Sequence, residues 1–129
     1  MKNRLFSQMS SLVLGVAILF GHSCHVFQGI EIYKDRPILY SCGDFIDDYA
    51  VDSTERNDQS FIFTVEITDG SVCGLRLYPT VIRDFRALCA PAEEARYIVQ
   101  KMQALCREMG TDSAWMEEAG GNKQIAIAI

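Results

Sequence analysis

Two runs of alternating residues folded about Asp69-Gly70 constrain this chain more than any other feature. Phe61, Phe63, Val65 and Ile67 alternate with Ile62, Thr64 and Glu66, and residues 72–82 return with Leu75 and Leu77 on one side. An Asp-Gly pair supplies the positive φ angles of a two-residue hairpin turn, so the stretch predicts two paired antiparallel strands. Pro79 has no N–H to give a ladder, which predicts a sheet edge or a bulge around it.

A second hairpin is expected upstream, where Gly29-Ile30-Glu31-Ile32-Tyr33 and Pro37-Ile38-Leu39-Tyr40-Ser41 flank the polar link Lys34-Asp35-Arg36. Residues 91–109 predict an amphipathic helix. Pro91 suits its start, Glu93 and Glu94 suit the positive end of its dipole, and Gly110 suits its end. Its apolar stripe is Ala95, Ile98, Val99, Met102, Leu105, Cys106 and Met109. Residues 111–123 read as a surface loop and residues 125–129 as a last short strand.

Near the start, Leu5, Met9, Leu12 and Val13 fall on one side of a helix over residues 4–14, which Gly15 would end. Residues 16–20 are continuously apolar, as in a strand buried on both faces of a parallel sheet. Helix, glycine, strand and polar loop make half of an α/β unit, and ligands gather at the carboxyl ends of such strands.

Composition bounds the function. The chain of 129 residues is 49% hydrophobic and 22% charged with net charge −5, which predicts one folded domain rather than disorder. No run of lysines and arginines offers the electrostatic footprint of a nucleic-acid binder. Five cysteines without a Cys-x-x-Cys pair argue against a disulfide framework or a four-cysteine zinc site, and for free, mostly buried thiols. Lys2 and Arg4 before the apolar run of residues 12–20 are laid out like a signal peptide, but no small-x-small cleavage site follows cleanly. The run is also too short to cross a bilayer, which takes about 20 apolar residues. A cytoplasmic chain is favoured on these features, with export as the alternative if residues 1–20 act as a signal.

The candidate chemistry is concentrated in Gly21-His22-Ser23-Cys24-His25, which holds the only two histidines of the chain. Imidazole is a common metal ligand, and a loop leaving a strand can hold two of them. A histidine pair hydrogen-bonded into the loop without metal explains the spacing equally well. Gly21 permits close backbone approach at the mouth of the sheet. Cys24 as a nucleophile would need a base and an orienting group that the sequence does not display. Asp44, Asp47, Asp48 and Asp52 could offer oxygens to a divalent cation, or serve as solvated carboxylates and turn caps. Arg56, beside Asn57, could fork a phosphate or carboxylate, or pair with Asp58 or Glu55.

The block Gly21-His22-Ser23-Cys24-His25-Val26, the hairpin ending in Pro37-Ile38-Leu39-Tyr40-Ser41, and Gly43-Asp44-Phe45 closely resemble the CapA-type capsule or poly-γ-glutamate synthesis proteins. That family lies in the calcineurin-like metallophosphoesterase superfamily. The likeness runs over roughly residues 10–110, through Asp47-Asp48-Tyr49, Glu55-Arg56-Asn57-Asp58 and the second hairpin. It implies an α/β fold, α+β as a fragment, forming the C-terminal half of a four-layer α/β/β/α sandwich. Residues 1–110 would belong to the family domain, and residues 111–129 would add a loop and a short strand. It also implies that His22 and His25 are the last ligands of a dinuclear centre holding manganese, iron or zinc. Asp44, Asp48, Gly21 and Arg56 would stand near that centre as pocket or structural residues.

The family's remaining ligands come from N-terminal motifs of the type Asp-x-His, Gly-Asp and Gly-Asn, in domains about twice this length. Residues 1–20 contain no Asp, Glu or His, and Ala17 stands where the family usually has an acidic residue. The expectation is therefore a truncated CapA-like chain, inactive alone. Two alternatives stand beside it: a half-protein that completes a phosphoesterase centre with a separately encoded N-terminal half, and a non-enzymatic module that self-associates.

Overall fold

The structure, a computed structural model, describes residues 16–22, 24–46 and 51–129. The expected helix over residues 4–14, and Asp47 and Asp48, lie outside the described residues. What is described is a mixed α+β fold of two sheets and one helix.

The first sheet has the order β1-β3-β2, from β1 (Leu19–Phe20), β2 (Ile30–Tyr33) and β3 (Arg36–Leu39). β2 and β3 form the expected hairpin, with Tyr33 paired to Arg36. The link is therefore two residues, Lys34 and Asp35, both at positive φ (49° and 60°) as a type I′ turn requires. β1 runs parallel to β3, with Leu19 opposite Ile38 and Phe20 opposite Leu39. The strand expected over residues 16–20 is thus shorter and more open: Val16 is 40% and Phe20 63% exposed. β3 covers one edge of β1, and no strand lies along the other among the described residues.

The second sheet has the order β4-β5-β8-β7, with β6 also on β5. β4 (Gln59–Thr68) and β5 (Ser71–Arg83) are the hairpin predicted about Asp69-Gly70, whose φ angles are 51° and 77°. A bulge leaves Cys73 unopposed between the pairs Ile67–Val72 and Glu66–Gly74. β5 divides its other edge: Gly74 to Leu77 pair with β8 (Lys123–Ala128), and Thr80 to Arg83 pair with β6 (Arg86–Cys89). Pro79 stands at that division, as its missing donor predicts. Its carbonyl accepts from Ala90 N–H at 3.0 Å, so its absent N–H would face the same gap and breaks no bond to β4.

Residues 111–123 are not only loop. They contain β7 (Ala114–Glu117), which pairs with β8 and places β8 inside the sheet. β7 is half-exposed and carries no alternating pattern, so it takes its conformation from the β8 edge.

The helix α1 (Ala92–Glu108) buries Ala95, Ile98, Val99, Met102 and Cys106, most of the stripe read from sequence. Gly110, at φ 76°, closes it: Gly110 N–H donates to the Arg107 carbonyl at 3.0 Å and Thr111 N–H to the Cys106 carbonyl at 2.9 Å. The core joins α1 to Phe27 just before the first hairpin, to Ile30 and Leu39 from the first sheet and to Phe61, Leu75, Leu77, Val81, Ile125 and Ile127 from the second. All five cysteines are free, but only Cys106 is buried; Cys24, Cys73 and Cys89 are exposed. The expectation of mostly buried thiols fails because Cys73 sits on the bulge and Cys89 on the outer strand β6. No helix among the described residues is long and apolar enough to cross a membrane.

Candidate metal-ligand site

The parallel pairing of β1 with β3 brings the segments that follow both strands out at one end of the sheet. Gly21 N–H donates to the Leu39 carbonyl at 2.8 Å, and Cys42 N–H to the Gly21 carbonyl at 3.1 Å, so the pairing continues past β1. A Cβ on Gly21 would stand 2.6 Å from the Tyr40 carbonyl oxygen, which is the close backbone approach read from the sequence. The histidine loop then turns back along residues 41–44. Phe27 bridges Cys42, Gln28 N–H donates to the Ser41 carbonyl at 3.1 Å, and Asp44 N–H to the His25 carbonyl at 3.3 Å.

His25 adopts φ 59°, a left-handed conformation uncommon for a residue with a side chain. Its ring Nδ1 lies 3.0 Å from Asp44 Oδ1 and 3.2 Å from Oδ2. An ionised carboxylate only accepts, so in the neutral ring Nδ1 carries the proton and donates, leaving the lone pair on Nε2. The His25 side chain is 65% exposed and that of Asp44 14%, so an exposed ring is held by a largely buried acceptor. Metal-ligating histidines are oriented in this way by a carboxylate on the second nitrogen.

His22 is exposed and stacks edge-on against Phe20, with ring centroids 6.0 Å apart. It stands on the rim of an apolar groove of about 480 Å³ between the two sheets, lined by Phe20, Leu39, Phe45, Phe61 and Phe63 among others. Cys24 is exposed.

Asp52 and Arg56 make contacts of their own. Asp52 caps a turn: its Oδ1 accepts from Thr54 N–H at 2.7 Å and Glu55 N–H at 2.8 Å, which holds its carboxyl below the usual range, Glu55 contributing most. Arg56 forks Asp58 at 2.8 and 2.9 Å and reaches Glu94 of α1 at 3.4 Å. Asp58 first, with Glu94 adding to it, keeps the guanidinium charge strongly favoured. Among the described residues, no three His, Cys, Asp or Glu side chains gather as a metal site.

The structure also shows what the sequence reading missed. Asn57, noticed only as a neighbour of Arg56, donates from Nδ2 to Asp44 Oδ2 at 3.4 Å while its Oδ1 accepts from Asp52 N–H at 2.7 Å. The pairing of His25 with Asp44 was likewise not read, although both residues were named. The signal was present in the first hairpin, since carrying its Ile30–Leu39 register outward through the Phe27–Cys42 bridge sets His25 opposite Asp44.

The sequence profile described as Bacterial capsule synthesis protein PGA_cap matches residues 2–49, which include both histidines, the first hairpin and Asp44. A probable polyglutamine synthesis accessory protein of Mycobacterium tuberculosis (strain CDC 1551 / Oshkosh) is 27% identical over 101 residues, covering 74% of this chain and 27% of that protein. The protein of the same description in Mycobacterium tuberculosis (strain ATCC 25618 / H37Rv) matches with the same identity and coverage. The chain thus spans about a quarter of the length of these curated relatives. These matches, together with the histidine block and hairpin that carry the likeness, show that the chain is similar to bacterial capsule synthesis proteins over part of its length.

Proposed function

We propose that this chain serves capsule or poly-γ-glutamate synthesis by contributing His22 and His25 to a divalent-metal centre of the metallophosphoesterase type. The observation that carries the reading is the His25–Asp44 contact, which leaves Nε2 of an exposed ring free to ligate. The donor set fits the group in kind: two imidazoles suit manganese, iron or zinc. It falls short in number, because a catalytic zinc site takes about three protein ligands. The remaining ligands are assigned to residues outside those described, either of the same polypeptide or of a separately encoded partner.

A bound divalent ion at such a centre supplies Lewis acidity toward a phosphoryl oxygen. The chain's own residues do the rest of what is described: Asp44 holds the proton on Nδ1 of His25, Gly21 lets the loop leave the sheet against Tyr40, and Phe20 braces His22. Titrating the purified chain with Zn²⁺ or Mn²⁺ by calorimetry tests the reading. Weak binding that drops at least tenfold in His22→Ala and in His25→Ala is expected, with no phosphodiesterase turnover by the chain alone. Binding unchanged in both variants would refute it.

A second reading, a non-enzymatic self-associating module, is favoured by the groove beside His22, whose rim residues Phe20 and Phe45 are 63% and 48% exposed. Sedimentation velocity separates the two, since concentration-dependent assembly without metal supports the module.

A further inference from the structure

We infer that Asn57 is the positioning residue for His25, acting through Asp44. The functional weight of the inference rests on His25 being a metal ligand; the positioning itself does not. Asn57 is 6% exposed, and its amide has its orientation imposed from the loop side. Asp52 N–H can only donate, so at 2.7 Å it fixes which end of the amide is Oδ1. The –NH₂ end must then face Asp44, whose Oδ2 it reaches at 3.4 Å. Turning the amide over would place –NH₂ against an N–H and oxygen against a carboxylate, losing both bonds.

The platform beneath Asn57 is firm on either side. Asp58 accepts both arms of the Arg56 fork, and its carbonyl accepts from Ile82 N–H of β5 at 2.8 Å. Arg56, at φ 54°, also reaches Glu94 on α1, and its carbonyl accepts from Gln59 N–H at 3.1 Å. The second sheet and the helix therefore set the position of Asn57, Asn57 sets the carboxylate plane of Asp44, and Asp44 sets the tautomer of His25. Asn57 touches no reacting atom in this scheme.

The test uses the metal-free, ¹⁵N-labelled chain at a pH where the imidazole is neutral. Long-range ¹H–¹⁵N spectra read the His25 tautomer, and zinc titration is run in parallel. Asn57→Asp is the informative variant, because it keeps an oxygen for Asp52 N–H but removes the donor to Asp44. Asn57→Ala removes both. The wild type is expected to hold the Nδ1–H tautomer, both variants to lose it, and zinc affinity to fall about tenfold, the scale found for outer partners of metal-binding histidines. A folded Asn57→Asp chain with an unchanged His25 tautomer would overturn the inference. If the tautomer shifts in the variants but the wild type binds no zinc through His25, the positioning stands and the metal reading falls.

Discussion

Gly29 lies so close to α1 that a Cβ on it would stand 2.5 Å from the Leu105 carbonyl oxygen and 3.2 Å from the Leu105 Cβ. The contact is with helix backbone, which cannot swing aside as a long side chain would. Gly29→Ala must therefore push β2 and α1 apart. A loss of about 1–3 kcal/mol is expected, the range for overpacking a close-packed contact, read as a lower urea midpoint. An unchanged midpoint would mean that the first sheet does not bear on the helix at this point.

Gln59 makes the opposite prediction. Its side chain is fully buried at 1% exposure, and neither amide atom has a hydrogen-bond partner among the described residues. A buried amide left unpaired costs about 1–3 kcal/mol, so an apolar side chain of similar length is an improvement. Gln59→Met should raise the urea midpoint, with a gain of about 1 kcal/mol after repacking. A clear loss of stability would show that the amide has a partner in solution.

Tyr40 gives the fold an alkaline signature. Burial first, and then its hydrogen bond to Glu31, raise the phenol well above the ordinary tyrosine range. A group whose folded pKa is raised contributes stability that is complete below the unfolded value of about 10 and is lost as pH climbs from there toward the folded value. Tyr40→Phe should cost about 1 kcal/mol near neutral pH. That gap should close as pH rises beyond about 10, followed by chemical denaturation at several pH values.

The groove beside His22 should bind a hydrophobic dye. Phe20 is 63% and Phe45 48% exposed, and both line it together with Phe61 and Phe63. Exposed apolar surface of this kind marks interaction sites or aggregation liabilities. Anilinonaphthalene sulfonate fluorescence is expected with the wild-type chain and should fall by more than half in the Phe20→Ser, Phe45→Ser double variant. Equal fluorescence from both would place the dye elsewhere.

The parts of this fold that were legible in the sequence are those where local pattern and tertiary demand coincide. Asp69-Gly70 fixes a hairpin whoever its neighbours are, and α1 announces itself by Glu93 and Glu94 at one end, Gly110 at the other and a stripe between. β6 and β7 were hidden because their residues lack alternation and are largely exposed. Their conformation comes from edges offered by β5 and β8. The turn before β6 places Asp84 and Phe85 at φ 50° and 58°, and phenylalanine gives no sequence sign of a left-handed turn.

At the site, the sequence supplied residue types and the fold supplied their pairing. His25 and Asp44 flank the first hairpin, and the antiparallel register of β2 with β3, continued through the Phe27–Cys42 bridge, makes them neighbours. Asn57 was further from view, since its role depends on the Asp52 turn and on the second sheet holding that turn in place.

The place of β8 between β5 and β7 also sets an order of events. The β4–β5 hairpin closes through a two-residue turn and can form as soon as both strands exist. The β5–β8 ladder joins residues roughly fifty apart in sequence, a closure that costs entropy before it returns contacts. Until it forms, the upper half of β5 presents an unpaired edge next to Leu75 and Leu77, both destined for the core. Refolding should therefore be limited by the arrival of β8. The interval before it arrives is when this chain is most exposed to pairing with another copy of itself.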